Sequence, residues 1–279
     1  MWHQLFDYSH YGALLALVHN SLIAGAVLGL VGGLVSTFVL MRDLPFAVHG
    51  VSELSFAGAS MALLVGAGVV AGALAGSIVA ALLIGLLGSR ARDRNSVIGV
   101  LMPFGLGLGV LCLSLYQGRA ANKFGLLTGQ IVAIDNPQLH WLLVTSAVVA
   151  VGLLAMWRPL VFASTDPELA AARGVPLGLV STLFMLVLGL AVAISVQIIG
   201  ALLVLSVVCT PAAAAMRLTA SPVKVTVLSM AFGLVSVLGG MLLALGSSVP
   251  ISPYVTTLSF AIYLVCRVIH GSQGKRAVG

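Results

Sequence analysis

Apolar segments of about twenty residues follow one another along almost the entire chain, separated by short connections that carry most of the charge. An α-helix needs roughly 20 apolar residues to cross the hydrocarbon core of a bilayer, so each segment is long enough to span it once. We therefore predict an all-α, polytopic membrane bundle of about nine spans, within a range of eight to ten. The predicted spans are 18–41, 46–66, 67–88, 97–116, 139–157, 177–197, 198–216, 223–246 and 252–268.

The composition supports a single membrane domain and leaves no room for a water-soluble one. Hydrophobic residues make up 60% of the 279 residues and charged residues only 7%, whereas soluble domains are near a quarter charged. The 32 glycines suit membrane helices that pack closely, since small residues let their backbones approach. Residues 1–279 are therefore predicted to form one transmembrane domain, and any chemistry outside the membrane must come from partners.

Two segments do not fit the pattern of spans. Residues 1–17 lack the basic start of a signal peptide and carry Trp2, Tyr8 and Tyr11. They are predicted to lie at the membrane interface before the first span. The segment LLTGQIVAIDNPQL, residues 126–139, is too short and too polar at its end to cross the bilayer. It is predicted to be a re-entrant or interfacial piece whose backbone is covered by protein or lines a cavity.

Apart from Arg119 and Lys123, which fall in a predicted external stretch, the basic residues collect in connections that would lie on one side of the membrane. They occur at Arg42, in the loops 90–94, 158–173 and 217–224, and in the tail 268–279. Because cytoplasmic loops are enriched in Lys and Arg, this pattern places the C-terminal tail inside and the N-terminus outside. Topology thus accounts for the net charge of +6, and nucleic acid is not predicted as a partner.

One acidic residue, Glu53, lies inside a predicted span, whereas the other acids lie in loops or in the N-terminal segment. Counted from Arg42 at about 1.5 Å per residue, Glu53 is roughly 15 Å deep in a core about 30 Å thick. A charge there costs on the order of 2.5–3.5 kcal/mol. His49 lies four residues earlier, on the same helical face. Two interpretations stay open: a neutral Glu53 hydrogen-bonded to a neighbouring helix, and a site for a cation or proton, which the imidazole favours.

A histidine and a glutamate together supply the nitrogen and oxygen ligands that divalent transition metals accept. Two ligands do not close a site, but a two-fold dimer with this helix at its axis would contribute four, enough for transient binding and release. Accessory positions along such a path are Ser52, a candidate oxygen ligand, and Cys209 with the nearby Pro211. Cys209 is a candidate soft ligand, although a packed free thiol is the favoured interpretation. Packed free thiols are also predicted for Cys112 and Cys266.

The stretch ASTDPELAAARGVP, residues 163–176, encodes a short helix in a predicted cytoplasmic loop. Thr165 or Asp166 is suited to cap its start, Pro167 fits its first position, and Gly174 fits the position just after its end. A capped helix can be a simple connector that needs no partner. On a chain with no energy source of its own, however, a self-contained helix facing the cytoplasm is typical of a docking element.

Three stretches resemble motifs of one known family, the permease subunits of ABC importers for zinc, manganese or iron, which metal-binding lipoproteins supply. The stretches are LMRDLPFAVHGVSELSFAGA at 40–59, TDPELAAARGV at 165–175 and AVAISVQIIGALLVLSVVCTPAAAAMRL at 191–218. Aligned without gaps, the family's aspartate falls on His49, its serine on Ser52 and its histidine on Glu53. The carboxylate and the imidazole are thus both kept, in exchanged order.

The resemblance implies roles for these residues. The family's aspartate and histidine are thought to coordinate the metal in transit, so a metal-ligand role is implied for His49 and Glu53. The resemblance also implies a coupling helix that enters a groove on the ATPase, marked here by Asp166, Glu168, Ala171 and Gly174.

The resemblance further implies a homodimeric permease of the bacterial inner, or cytoplasmic, membrane. Its partners would be two cytoplasmic ATPase subunits and an extracytoplasmic metal-binding lipoprotein, and its cargo would be manganese, zinc or iron. No permanently bound cofactor is implied, and ATP would bind the partner subunits. The chain has no G-x-x-x-x-G-K-[ST], G-x-S-x-G or H-E-x-x-H motif, so it is not predicted to be an enzyme.

Two alternatives to this function stay open. One is a proton- or cation-coupled secondary carrier in which His49 and Glu53 form a relay, although it would leave the helix at 163–176 unexplained. The other is an ABC permease for a metal chelate or siderophore, whose bulky ligand would not require the buried pair.

Overall fold

The computed structural model describes residues 18–87, 91–118, 134–201, 204–245 and 251–276, with the single residues Leu15, Leu126 and Ser247. In this part of the chain the regular elements are twelve α-helices. The first six are α1 His19–Met41, α2 Pro45–Leu64, α3 Val69–Leu87, α4 Ala91–Leu115, α5 Asn136–Ala155 and α6 Trp157–Thr165. The other six are α7 Pro167–Ala172, α8 Leu177–Ile199, α9 Val204–Val208, α10 Thr210–Ala215, α11 Pro222–Ala244 and α12 Ile251–Arg276.

Eight helices within the described residues are long and apolar enough to cross a membrane, namely α1 to α5, α8, α11 and α12. This confirms the all-α membrane bundle predicted from hydropathy, and the number lies within the predicted range. The predicted interfacial segment 1–17, apart from Leu15, lies outside the described residues. So do residues 127–133, half of the predicted re-entrant segment 126–139, whose last four residues belong to α5.

The predicted span 198–216 is not one continuous helix, and this corrects the sequence prediction. Helix α8 ends where Gly200 adopts a φ of 83°, a left-handed conformation that terminates a helix. The chain then forms only the short helices α9 and α10. Pro211 lies in the first turn of α10, where its missing N–H removes no helical hydrogen bond.

A side chain from α1 bridges the interruption between α9 and α10. The Ser36 hydroxyl donates to the Cys209 carbonyl oxygen at 3.2 Å and accepts the Ala212 amide at 3.1 Å. Backbone groups freed by a helix break must be satisfied inside the protein, because lipid offers no hydrogen bonds. The break is therefore stabilised by tertiary contact with α1.

Close contacts at glycines define the relative directions of the helices. A Cβ added to Gly29 of α1 would lie 2.7 Å from the Gly233 carbonyl oxygen of α11, and Gly25 faces Met241. As the residue numbers rise in α1 they fall in α11, so the two helices run antiparallel. Their backbones approach closely because the contact residues are small.

Helix α2 lies between α3 and α4. Gly58 of α2 faces Gly72 of α3, and Leu54 faces Gly76, so these two helices run antiparallel. Gly105 of α4 lies against the backbone of α2, where an added Cβ would be 3.0 Å from the Leu54 amide nitrogen. Helix α2 is thus held along its length by two neighbours.

The helix directions bring the basic connections to one end of the bundle, here named the α7 end. Residues 42–44, 156–176 and 216–221 lie there, together with α6 and α7. An amide hydrogen bond of 2.8 Å between Asn20 and Asn136 marks the opposite end. The charge pattern predicted that these loops lie together. That the α7 end faces the cytoplasm stays a prediction.

Candidate functional site

His49 and Glu53 lie one turn apart on α2, and their side chains meet. Nε2 of His49 is 3.6 Å from Oε1 of Glu53. Most of α2 is buried within the protomer, but Phe46 is 70% exposed and the His49 side chain 30% exposed, whereas the Glu53 side chain is only 4% exposed. The pair therefore lies where an open face of α2 meets the interior of the protein.

Two polar atoms of the pair have no hydrogen-bond partner within the described part of the chain. They are Nδ1 of His49 and Oε2 of Glu53, and both are buried. A buried polar group without a partner is unfavourable, and a buried carboxylate is more so. The alternative in which a neighbouring helix satisfies Glu53 thus finds no donor among the described residues. What the geometry offers is a nitrogen and two oxygens, which suit a cation.

Ser52 is buried beside the pair, but its hydroxyl is already engaged. It donates to the Ala201 carbonyl oxygen at 2.9 Å, which ties α2 to the chain just after Gly200. The contact positions α2 against the interrupted segment that contains α9 and α10. The accessory ligand role of Ser52 stays a prediction, and the structure adds a positioning role.

Cys209 and Pro211 lie at the interruption between α9 and α10. The Cys209 thiol is partly buried and free, and no group of three or more His, Cys, Asp or Glu side chains that could hold a metal occurs among the described residues. Cys209 is therefore not joined with His49 and Glu53 in one ligand cluster of a protomer. Cys112 and Cys266 are buried free thiols, as predicted.

The short helix predicted within residues 163–176 is present as α7. The Asp166 carboxylate caps it by accepting the Leu169 amide at 2.9 Å, and Pro167 occupies its first turn. After the helix, Gly174 has a φ of 83° and open space around it. Of the two predicted capping residues Asp166 takes the role, since the Thr165 hydroxyl donates back into α6.

The surface of α7 is largely open. Glu168, Leu169, Ala171 and Gly174 are all exposed, whereas Ala170 faces the protein and is buried. Leu169 is the third residue of this six-residue helix, and it is 46% exposed. Sequence reasoning did not select Leu169, because an isolated leucine in a helical pattern is usually buried.

Arg42 was also missed as a functional candidate by sequence reasoning. Its guanidinium donates to the Ser181 hydroxyl at 2.9 Å and to the Ser164 hydroxyl at 3.4 Å, and it lies 5.7 Å from the centre of the Phe184 ring. Burial lowers the pKa of Arg42 from its ordinary value, and the nearby charge of Arg94 lowers it further. The two hydroxyls and the ring offset this unfavourable environment.

Comparisons with known proteins agree on the class of this chain. The sequence profile of the family described as "ABC 3 transport family" matches residues 15–270. The manganese transport system membrane protein MntC of Halalkalibacterium halodurans is 27% identical, over 85% of this chain and 80% of the relative. The high-affinity zinc uptake system membrane protein ZnuB of Haemophilus influenzae is 22% identical, over 89% of this chain and 96% of the relative.

The fold is also similar to that of a solved structure. A chain in the structure titled "PsaBC from Streptococcus pneumoniae in complex with Fab" superposes with a TM-score of 0.83 and is 22% identical. The superposition covers 93% of this chain and 95% of that chain. The bundle of eight long helices with a short interrupted segment is therefore a known arrangement of membrane helices.

Proposed function

The chain belongs to the ABC 3 transport family, and from that membership we propose that it is the membrane-spanning permease of an ATP-driven importer for a divalent transition metal ion. The names of two relatives, a manganese transport and a zinc uptake membrane protein, support a metal ion as the cargo. The eight apolar helices and the similarity to these relatives show that the chain is a multi-pass protein of the bacterial cell membrane.

The observation that carries the proposal is the His49–Glu53 pair. Its side chains approach to 3.6 Å on an otherwise buried helix, and each retains a buried atom without a hydrogen-bond partner among the described residues. Imidazole nitrogen and carboxylate oxygen suit manganese, iron and zinc. By the resemblance given above, the pair falls on the aspartate and the histidine that are thought to coordinate the metal in that family.

A second copy of the chain would complete the ligand set. One protomer offers His49 and Glu53, and two protomers related by a two-fold axis along the open face of α2 would offer four ligands. The exposure of Phe46 and His49 on that face supports this arrangement, because aromatic residues are enriched at protein interfaces. Four ligands from two chains also suit a transit site, which separation of the protomers can open.

The remaining partners follow from the α7 end of the bundle. We place this end in the cytoplasm on the basis of its Arg and Lys residues. There the exposed α7, with Asp166, Glu168, Ala171 and Gly174, is the surface for an ATPase subunit, one on each protomer. A metal-binding lipoprotein would deliver the ion at the opposite end, and ATP would bind only to the ATPase subunits.

Ion uptake into proteoliposomes tests this function. The chain is reconstituted with its ATPase and binding-protein subunits, and uptake of radiolabelled manganese, zinc and iron is measured with and without ATP. We expect ATP-dependent uptake of at least one ion, and a fall of at least about tenfold in Glu53→Gln or His49→Ala, corresponding to about 1.4 kcal/mol. His140→Ala, which removes an exposed imidazole from α5, is the matched control and should transport normally.

The other outcomes separate the alternatives. Uptake that depends on a proton gradient and not on ATP would indicate a secondary carrier. Uptake of a metal chelate but of no free ion would indicate a chelate permease. Wild-type uptake of all three ions by Glu53→Gln would contradict the assignment of Glu53 to a metal site. The double exchange His49→Asp with Glu53→His should retain some transport if the ligand types matter more than their order.

A further inference from the structure

Arg42 joins the two flanks of α7 to the helix that carries the proposed metal ligands. Ser164, which its guanidinium contacts at 3.4 Å, lies two residues before the Asp166 cap of α7. Ser181, contacted at 2.9 Å, lies on α8, just after the loop that follows α7. The planar guanidinium can bind two acceptors in a fixed geometry, so one side chain holds the segments before and after α7 together.

Aromatic packing reinforces this junction. The Phe38 ring of α1 packs edge-to-face on Trp157 of α6 at 5.1 Å and on Phe184 of α8 at 6.2 Å. Arg42 lies over the Phe184 ring at 5.7 Å, one turn after Phe38. Helices α6 and α8 are therefore attached to the end of α1 by both polar and apolar contacts.

A short, tight turn connects Arg42 to α2. Asp43 has a φ of 54°, and the Leu44 amide donates back to the Val39 carbonyl oxygen at 2.9 Å, so the turn is closed by its own hydrogen bonds. Leu44 is buried, and α2 begins at the next residue, Pro45. Because a turn of this kind cannot stretch, a displacement of Arg42 must be passed on to the first turn of α2.

From these contacts we infer that Arg42 is a positioning residue that transmits movement of α7 to the His49–Glu53 pair. His49 lies four residues after Pro45, about 6 Å along a continuous helix. If the ATPase shifts α7, Ser164 and Ser181 would move with it and displace Arg42. The displacement of Arg42 would tilt α2, and the tilt would change the distance between the metal ligands of the two protomers. Nε of Arg42 is buried without a partner in the described part of the chain, which leaves a donor for a second set of contacts. The inference rests on the proposed function.

The test measures how many ions are imported for each ATP hydrolysed. Arg42→Met removes the guanidinium. The double variant Ser164→Ala with Ser181→Ala removes its two acceptors, together with the hydrogen bond that the Ser164 hydroxyl donates to the Leu160 carbonyl oxygen within α6. Arg217→Met is the matched control. Arg217 also donates to a hydroxyl, that of Tyr263 at 3.3 Å, and lies 5.8 Å from its ring, but no hydrogen bond or ring contact among the described residues joins it to α6 or α8. Each protein is reconstituted with its ATPase and binding-protein subunits, and the amount of bound ATPase is recorded.

We expect both test variants to bind the ATPase and hydrolyse ATP while the ions imported per ATP fall at least about fivefold, the lower end of typical allosteric couplings. Adding Arg42→Met to the serine double variant should cause little further loss, because both remove the same contacts. Arg42→Lys should recover part of the ratio, since it keeps the charge but lacks the planar fork. Arg217→Met should keep the wild-type ratio.

An unchanged ratio in the serine double variant overturns the inference, even if Arg42→Met fails to fold. So does a loss of uptake that merely follows loss of bound ATPase. These outcomes differ from a failure of the proposed function, which would appear in the wild type as the absence of ATP-dependent uptake of manganese, zinc and iron. They also differ from normal uptake by Glu53→Gln. That result would contradict the metal-site assignment, but the ratio of ions imported to ATP hydrolysed could still be measured.

Discussion

Replacing Glu53 with glutamine should make the protein more stable while it makes it inactive. The Glu53 side chain is 4% exposed, and its Oε2 has no hydrogen-bond partner among the described residues. Glutamine keeps nearly the same shape and removes the charge. The substitution should therefore relieve a burial penalty that, among the described residues, the imidazole of His49 at 3.6 Å alone offsets.

The magnitude follows from the environment of the carboxylate. A charge near the bilayer centre costs about 2.5–3.5 kcal/mol on the insertion scale, which is an upper bound here. Part of this is offset by the imidazole of His49, whose Nε2 lies 3.6 Å from Oε1 of Glu53. We expect a gain of about 1–2 kcal/mol, below that bound because the glutamine amide is still a buried polar group without a partner and only the charge is removed. For soluble domains of similar size each kcal/mol corresponds to about 2–4 °C.

Thermal unfolding of the purified protein in detergent measures this gain. The protein is heated at pH 8 with a chelator, which removes bound metal ions, and the folded fraction is followed by size-exclusion chromatography. Glu168→Gln is the matched control, because Glu168 is exposed on α7 and the same chemical change there removes no buried charge.

The expected result is a higher midpoint for Glu53→Gln and an unchanged one for Glu168→Gln. A midpoint for Glu53→Gln equal to or below that of the wild type would refute the reasoning. It would mean that Glu53 is stabilised by a partner within the fold and is a structural residue. A gain in stability together with lost uptake is the behaviour expected of a functional site.

Two further predictions concern the α7 end. Gly174→Arg should release or uncouple the ATPase in a pull-down and uptake assay, whereas Gly174→Ala, which carries the same strain at φ 83°, should couple far better; normal transport by Gly174→Arg would contradict the docking role. Cysteines introduced at Ser96 and Ser272 should resist labelling by a membrane-impermeant reagent in intact cells and react after lysis, because both positions are predicted to be cytoplasmic; strong labelling of both in intact cells would reverse the orientation.

Much of the fold can be predicted from the sequence, because hydropathy and helix capping are local properties. A run of apolar residues that is exposed to lipid spans the bilayer as a helix, since only a helix satisfies its own backbone there. Asp166, Pro167 and Gly174 define α7 through contacts within a few residues of one another. The proximity of His49 and Glu53 follows in the same way, from their spacing on one helix.

The tertiary structure alone decides how these local elements work together. The predicted span 198–216 is interrupted, and Ser36, 173 residues from Cys209, satisfies the break. Arg42 meets Ser164 and Ser181 across 122 and 139 residues of sequence. No periodicity or spacing records such contacts, because they depend on which helix faces lie together. The sequence thus determines the spans, the acid–imidazole pair and the capped helix. Packing decides that the pair lies on an open face and that one arginine connects it to α7.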